Sequence, residues 1–169
     1  CYVGVNDRRT SLFEGLWTLP YGVSYNSYLV TGEQTALIDT VEEGFTSLFL
    51  KNIADALEGR KLNYLIVNHM EPDHSSSIEA VRRAYPEVTV VGNAKTVQML
   101  QGFYGITDRT LQVADGQTLS LGSTELAFHL TPMVHWPETM MTLMPAEKIL
   151  FSGDAFGCFG ALQGNPTDA

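Results

Sequence analysis

Between residues 22 and 104 the apolar positions switch repeatedly between a period of two and a period of three to four. Residues 22–30 carry aromatic and β-branched side chains and predict a strand. Gly32-Glu33 is a turn signal, and residues 35–39 predict the returning strand of a hairpin. Phe45, Leu48, Phe49, Ile53, Ala56 and Leu57 recur at helical spacing, which predicts an amphipathic helix over 45–57 closed by Gly59. Residues 63–68 predict a buried strand. A second helix is expected over 75–85, with Ser75, Ser76 and Ser77 available for its N-cap and Pro86 beyond its end. Residues 88–91 predict another apolar strand, and 94–104 a third helix stopped at Gly105.

After Gly105 the helical spacing disappears. Residues 110–113, 117–121, 125–130, 140–143 and 149–151 predict five short strands separated by turn signals. A βαβαβα order followed by a β-rich segment predicts an α/β (α+β) fold, with helices on a mixed sheet and a second sheet facing it. Beyond Phe151-Ser152-Gly153-Asp154 the residues turn to Gly and polar types, with no closing helix or strand before Ala169. The pattern therefore predicts one domain over 1–169 that is incomplete at the C-terminus.

Composition narrows the partners. With 169 residues and 44% hydrophobic positions the chain can build a substantial core. A net charge of −9 argues against nucleic acid and against anionic membrane surfaces. No apolar run approaches the roughly 20 residues of a membrane span, and no basic-then-apolar leader is visible. Cys1 and Cys158 are the only cysteines, too few for a disulfide framework or a cysteine zinc module. A reducing, cytoplasmic setting is expected.

The candidate chemistry sits at strand ends. His69-Met70-Glu71-Pro72-Asp73-His74 follows the apolar run 64–67, and four of its six side chains can bind a metal. Imidazole suits zinc, copper and iron, and added carboxylate shifts a site toward harder ions, so the run predicts iron and redox chemistry. His135 lies between Pro132 and Pro137 on a stiff loop, and Asp154 follows the strand ending at Phe151. If these strands share a rim, their ends converge on one site. Each residue alone also has a structural reading. A histidine after a strand is commonly a surface or core residue, Asp in Ser-Gly-Asp a turn residue, and Asp73-His74-Ser75 a helix cap. His129 alternates within a predicted strand and is read as structural. The combination in one loop is hard to explain by capping alone.

His69-x-Glu71-x-Asp73-His74 resembles the first metal motif of the flavodiiron proteins, a branch of the metallo-β-lactamase fold. Zinc hydrolases of that fold usually carry His where this chain has Glu71. His135-Trp136-Pro137 and, nineteen positions on, Ser152-Gly153-Asp154-Ala155-Phe156-Gly157 are similar to that family's next two ligand motifs. Ser24-Tyr25-Asn26-Ser27-Tyr28-Leu29, Ile38-Asp39-Thr40 and Phe159-Gly160-Ala161-Leu162 also match.

The resemblance implies an αββα sandwich. His69, Glu71 and His135 would hold one iron, Asp73 the other, and Asp154 would bridge both. His74 matches a position that ligates in some members and swings away in others. The family takes a further His well beyond the bridging Asp, whereas this sequence ends 15 residues after Asp154, so it implies an incomplete two-iron site. The implied reaction is reduction of O₂ to water or of NO to nitrous oxide. Electrons would come through FMN on a flavodoxin-like domain, absent from these residues. A head-to-tail homodimer would bring the partner's FMN to the irons, and rubredoxin or a reduced deazaflavin would be the donor. Trp136 would lie near that flavin or serve as a packing aromatic. Rival readings are a zinc-dependent hydrolase of the same fold, a stand-alone diiron oxygen sensor, and a fragment that binds no metal.

Overall fold

The chain opens with four short strands, Val5–Asp7 (β1), Leu12–Phe13 (β2), Trp17–Thr18 (β3) and Val23–Tyr25 (β4), in a computed structural model that describes residues 1–161. β1 pairs antiparallel with β4, and β2 with β3. The first three carry no clear alternation. The single strand expected over 22–30 is instead two: β4 and Tyr28–Thr31 (β5), which lie in different sheets. Ser27 makes the break. Its carbonyl accepts from the N–H groups of Val3 and Gly4, and its hydroxyl donates to the Asp39 carbonyl. A period of two persists through such a change of partner, so the pattern hides it.

β5 and Thr35–Ile38 (β6) form the expected antiparallel hairpin, with Tyr28 opposite Ile38. Tyr64–Ile66 (β7), Thr89–Gly92 (β8) and Thr110–Gln112 (β9) each join in parallel, giving the order β5-β6-β7-β8-β9. The first of the five late strands, β9, thus belongs to the mixed sheet and not to the second sheet. Only Thr118–Ser120 (β10), Glu125–Leu130 (β11), Met140–Met144 (β12) and Ile149–Phe151 (β13) form it, antiparallel and in chain order.

Thr46–Leu57 (α1) ends on Glu58, itself left-handed at φ 51°, one residue before Gly59. Ala94–Tyr104 (α4) follows the expectation closely, and the Asn93 side chain accepts from the Lys95 and Thr96 N–H groups. Gly105 closes α4 in the left-handed conformation, φ 65°, that glycine adopts without a Cβ clash. The helix expected over 75–85 is two pieces, Pro72–Ser75 (α2) and Ile78–Ala84 (α3). Pro72 at the first helical position starts the turn early, because its φ is already helical and its missing N–H is not needed there. No serine of the cluster caps by its side chain. Ser75 Oγ bonds the Met70 carbonyl and the Tyr104 hydroxyl, and Ser77 Oγ the Val41 carbonyl.

Two cores result. Phe49, Ile53, Ile78, Val81 and Leu100 from the helices pack on Leu37, Leu65 and Val90 of the mixed sheet. The adjacent residues Ile38, Ile66 and Val91 face the other way, onto Leu126, Phe128 and Phe151 of the second sheet. β6, β7 and β8 are therefore apolar on both faces, as parallel strands between two layers must be. Full burial of a side chain such as Phe128 stabilises by roughly 1.5–3 kcal/mol. Helices thus cover one face of the mixed sheet and the second sheet covers the other. The second helical layer of the expected sandwich is not among the described residues, and Leu162 lies outside them. Among the described residues no helix is long and apolar enough to cross a membrane, and Cys1 and Cys158 are free thiols.

Candidate metal centre

The two sheets are stitched together at the rim where the candidate ligands emerge. Asp39, just past β6, adopts a left-handed backbone (φ 55°), donates its N–H to the Ile66 carbonyl and accepts from the Asn68 N–H at 2.7 Å. Asn68 is fully buried. Its Nδ2 donates to the Phe151 carbonyl at 3.2 Å, its Oδ1 accepts from the Thr142 hydroxyl at 2.7 Å, and its carbonyl accepts from the Met140 N–H. The residue preceding His69 thus locks the end of β7 onto β12 and β13. Buried polar groups need such partners, because leaving one unpaired costs about 1–3 kcal/mol.

His69 points inward from that lock. Its Nε2 lies 3.1 Å from Glu71 Oε2, 3.2 Å from His135 Nε2 and 3.5 Å from Asp154 Oδ2. His135 Nε2 in turn lies 2.9 Å from Glu71 Oε2 and 3.3 Å from Asp154 Oδ2. The four donor atoms all fall within 4.8 Å of one another. Ligand atoms about 2.0–2.2 Å from a shared ion stand roughly 3.0–3.5 Å apart, so this cluster fits a single metal.

A second donor set adjoins the first. Asp154 Oδ1, the oxygen turned away from that cluster, is 2.8 Å from His74 Nε2, and Asp73 Oδ2 is 3.7 Å from the same nitrogen. Asp73 Oδ1 is buried with no hydrogen-bond partner, the state expected of a carboxylate arranged for a cation. His74 is anchored through its backbone, while its ring Nδ1 makes no hydrogen bond. Its carbonyl accepts from the Thr40 N–H and hydroxyl at 2.8 and 2.7 Å, and its Nδ1 lies 3.8 Å from Asp39 Oδ2. All six expected residues therefore meet at one rim, four in a tight group and Asp73 and His74 on its far side.

The electrostatics match. Burial opposes a charge on His69, but the carboxylates of Glu138 and Glu71 outweigh it and push its pKa up to about 9. Burial likewise disfavours charged His74, yet Asp154 and Asp39 hold it well above its ordinary range. Burial would raise Asp154, and the hydrogen bond from His74 instead draws it down to about 2. Asp73 has no such donor, so burial raises it to about 6. Without a metal the surrounding carboxylates thus favour the protonated form of both imidazoles, and a cation would compete with those protons.

The loop 131–139 that carries His135 is closed by its own bonds. The Thr131 N–H donates to the Thr139 carbonyl, and the Thr139 hydroxyl bonds the carbonyls of Thr131 and Trp136. The Trp136 ring stands edge-on to His69, centroids 5.3 Å apart, so it packs directly behind a candidate ligand. The centre opens to solvent on this side, where the side chains of His135 and Asp154 are 54% and 41% exposed. His129 lies exposed on β11, opposite Met141, and contributes nothing to the centre. Glu138 escaped the sequence reading. It is completely buried beside His69, and its only signal was a carboxylate three residues after His135.

The profile described as "ODP family beta lactamase" matches residues 23–167. The flavodiiron protein from Giardia intestinalis superposes with a TM-score of 0.91 at 35% identity, over 96% of this chain and 40% of its own. Rubredoxin oxygen:oxidoreductase from Desulfovibrio gigas superposes at 0.90 with 33% identity, over 95% and 40%. The anaerobic nitric oxide reductase flavorubredoxin of Salmonella arizonae is 35% identical over 159 residues, 92% of this chain and 33% of that relative. The chain thus spans about a third to two-fifths of these proteins. With this match and this superposition, the chain belongs to the ODP family beta lactamases, the metallo-β-lactamase-like diiron domain of the flavodiiron proteins.

Proposed function

We propose that residues 1–169 belong to the diiron domain of a flavodiiron oxidoreductase that reduces O₂ to water or NO to nitrous oxide. The observation that carries this reading is the carboxylate of Asp154, whose two oxygens face two separate donor sets. His69, Glu71 and His135 would hold one iron, Asp73 and His74 the other, and Asp154 would span both. Bound iron would supply reversible one-electron chemistry. The protein's part is charge and access. Glu71, Asp73 and Asp154 would set three carboxylates around two ions, which would favour the higher oxidation state and hard cations over zinc. The locked loops fix the donors so that little rearrangement accompanies the change of charge. The opening beside His135 admits a small diatomic molecule.

Electrons would arrive through FMN on a flavodoxin-like domain outside these residues, reduced by rubredoxin or a reduced deazaflavin. In a head-to-tail homodimer that flavin would approach from the partner, on the open side near Trp136. The free thiols Cys1 and Cys158 support a cytoplasmic setting. The test is to purify, without oxygen, the protein in which these residues are joined to the missing His ligand and the flavodoxin-like domain, count its iron and FMN, and follow O₂ and NO consumption with a reduced donor. About two irons per chain and reductant-dependent consumption are expected. Two zinc ions with thiolester hydrolysis, and no such consumption, would overturn the reading.

A further inference from the structure

One buried carboxylate at the centre belongs to neither donor set. Glu138 is completely buried, and among the described residues its only ion-pair partner is His69. Its Oε1 accepts from His69 Nδ1 at 2.7 Å and from the Met70 N–H at 2.9 Å, while Oε2 has no partner in the protein. Its backbone is pinned as well, since the Glu138 carbonyl accepts from Asn93 Nδ2 at 2.5 Å and the other end of that side chain caps α4. Burying a carboxylate with one bare oxygen costs stability. The arrangement makes sense through what it does to the ring beside it.

A neutral imidazole carries one N–H and one lone pair, and only the lone pair can bind a metal. An ionised carboxylate accepts hydrogen bonds and cannot donate them, so His69 facing Glu138 must carry its proton on Nδ1. Its lone pair then sits on Nε2, the atom aimed at Glu71, His135 and Asp154. We propose that Glu138 is the positioning residue that sets the tautomer and direction of His69, so that one loop delivers His135 and also orients the ligand from the opposite sheet. This rests on the metal-centre reading above.

The test uses the full chain labelled with ¹⁵N-histidine and loaded with Zn²⁺, which is diamagnetic and reports on the donor set alone. Multiple-bond ¹H–¹⁵N spectra read which nitrogen of His69 holds the proton, and competition with a chromophoric chelator reads affinity. In the unsubstituted chain His69 should carry its proton on Nδ1 and metal on Nε2. Glu138→Gln keeps an acceptor oxygen and the volume. It should shift the Nδ1–H resonance upfield and weaken zinc about tenfold, and Glu138→Leu, with no acceptor, should weaken it toward 100-fold. Metal-free melting of each variant separates loss of folding from loss of orientation, and if Glu138→Leu does not fold, Glu138→Gln decides. Folded variants that bind zinc within about twofold of the unsubstituted chain, with an unmoved His69 resonance, would overturn the proposal alone. An unsubstituted chain that takes up no zinc would overturn the metal-centre reading with it.

Discussion

Asp154 meets His74 through Oδ1 at 2.8 Å, while its Oδ2 turns away from that histidine toward the cluster around His69. A single side chain thereby joins two donor sets that come from opposite ends of the His69–His74 run. Asp154→Ala should leave at most one ion per chain, because Asp73 and His74 alone make a poor site. The affinity of the remaining ion should fall by more than the roughly 10–100-fold that loss of an outer hydrogen-bond partner costs. Metal analysis after gel filtration, with a chelator titration, checks both statements. Two ions retained at unchanged affinity would show that Asp154 bridges nothing.

On the proposed reading, Glu71 sets the metal preference of the site. Its Oε2 sits 3.1 Å from His69 and 2.9 Å from His135, the place of a third ligand on the same ion. Glu71→His replaces a hard oxygen by a borderline nitrogen and removes one negative charge, so the preference should move from iron toward zinc. Competition between Fe²⁺ and Zn²⁺ under anaerobic conditions reads the shift. A ratio of affinities that does not change would count against carboxylate-based selection.

Metal removal should expose a pH dependence with a definite sign. His69 has its pKa raised from 6.5 to about 9 in the folded, metal-free chain, so the fold binds this proton more tightly than the unfolded chain does. The stability it contributes is complete below pH 6.5 and is lost as pH rises through about 9. The loss is at most about 3 kcal/mol, which corresponds to several degrees in Tm. Metal binding requires the proton to leave, so affinity should climb over the same interval. The metal-free Tm should therefore drop between pH 6.5 and 9.5, and the metal-loaded Tm should drop less. A flat metal-free profile would remove the basis for proton–metal exchange at His69.

Asn68 offers a test of the scaffold apart from the ligands. Asn68→Ala leaves the Thr142 hydroxyl and the Phe151 carbonyl, both at buried positions, without their partner. It should destabilise by about 2–4 kcal/mol, one lost buried partner at each end. Urea unfolding measures the loss. The same variant should also loosen metal binding, since His69 follows directly. A change under about 0.5 kcal/mol would show that the sheets are not joined there.

The helices and the parallel strands were legible because burial on one or two faces writes a period into local sequence. α4 shows this best, with a cap, an apolar stripe and a closing glycine all within a dozen residues. Pairing left no such trace. β4 and β5 read as one strand because alternation continues through Ser27, and nothing in residues 110–112 marked β9 for the mixed sheet, because a strand does not encode its neighbour. Pro72 started a helical turn that the serine cluster seemed to own. Among the site residues, the ligand types stood out because histidines and carboxylates crowd one loop. Glu138 did not, because a carboxylate is unremarkable in an acidic chain until it is found buried against an imidazole.

The sequence by itself determined which metal-capable side chains are present and in what order, because these depend only on side-chain chemistry and spacing along the chain. It also determined the two-faced apolar strands that call for layers on both sides. Which oxygen of Asp154 faces which histidine, how Asn68 locks one sheet to the other, and which carboxylate orients His69 were decided only in three dimensions. Those relations join residues 69 to 83 positions apart, and at that range only the packed tertiary fold settles which groups share a hydrogen bond.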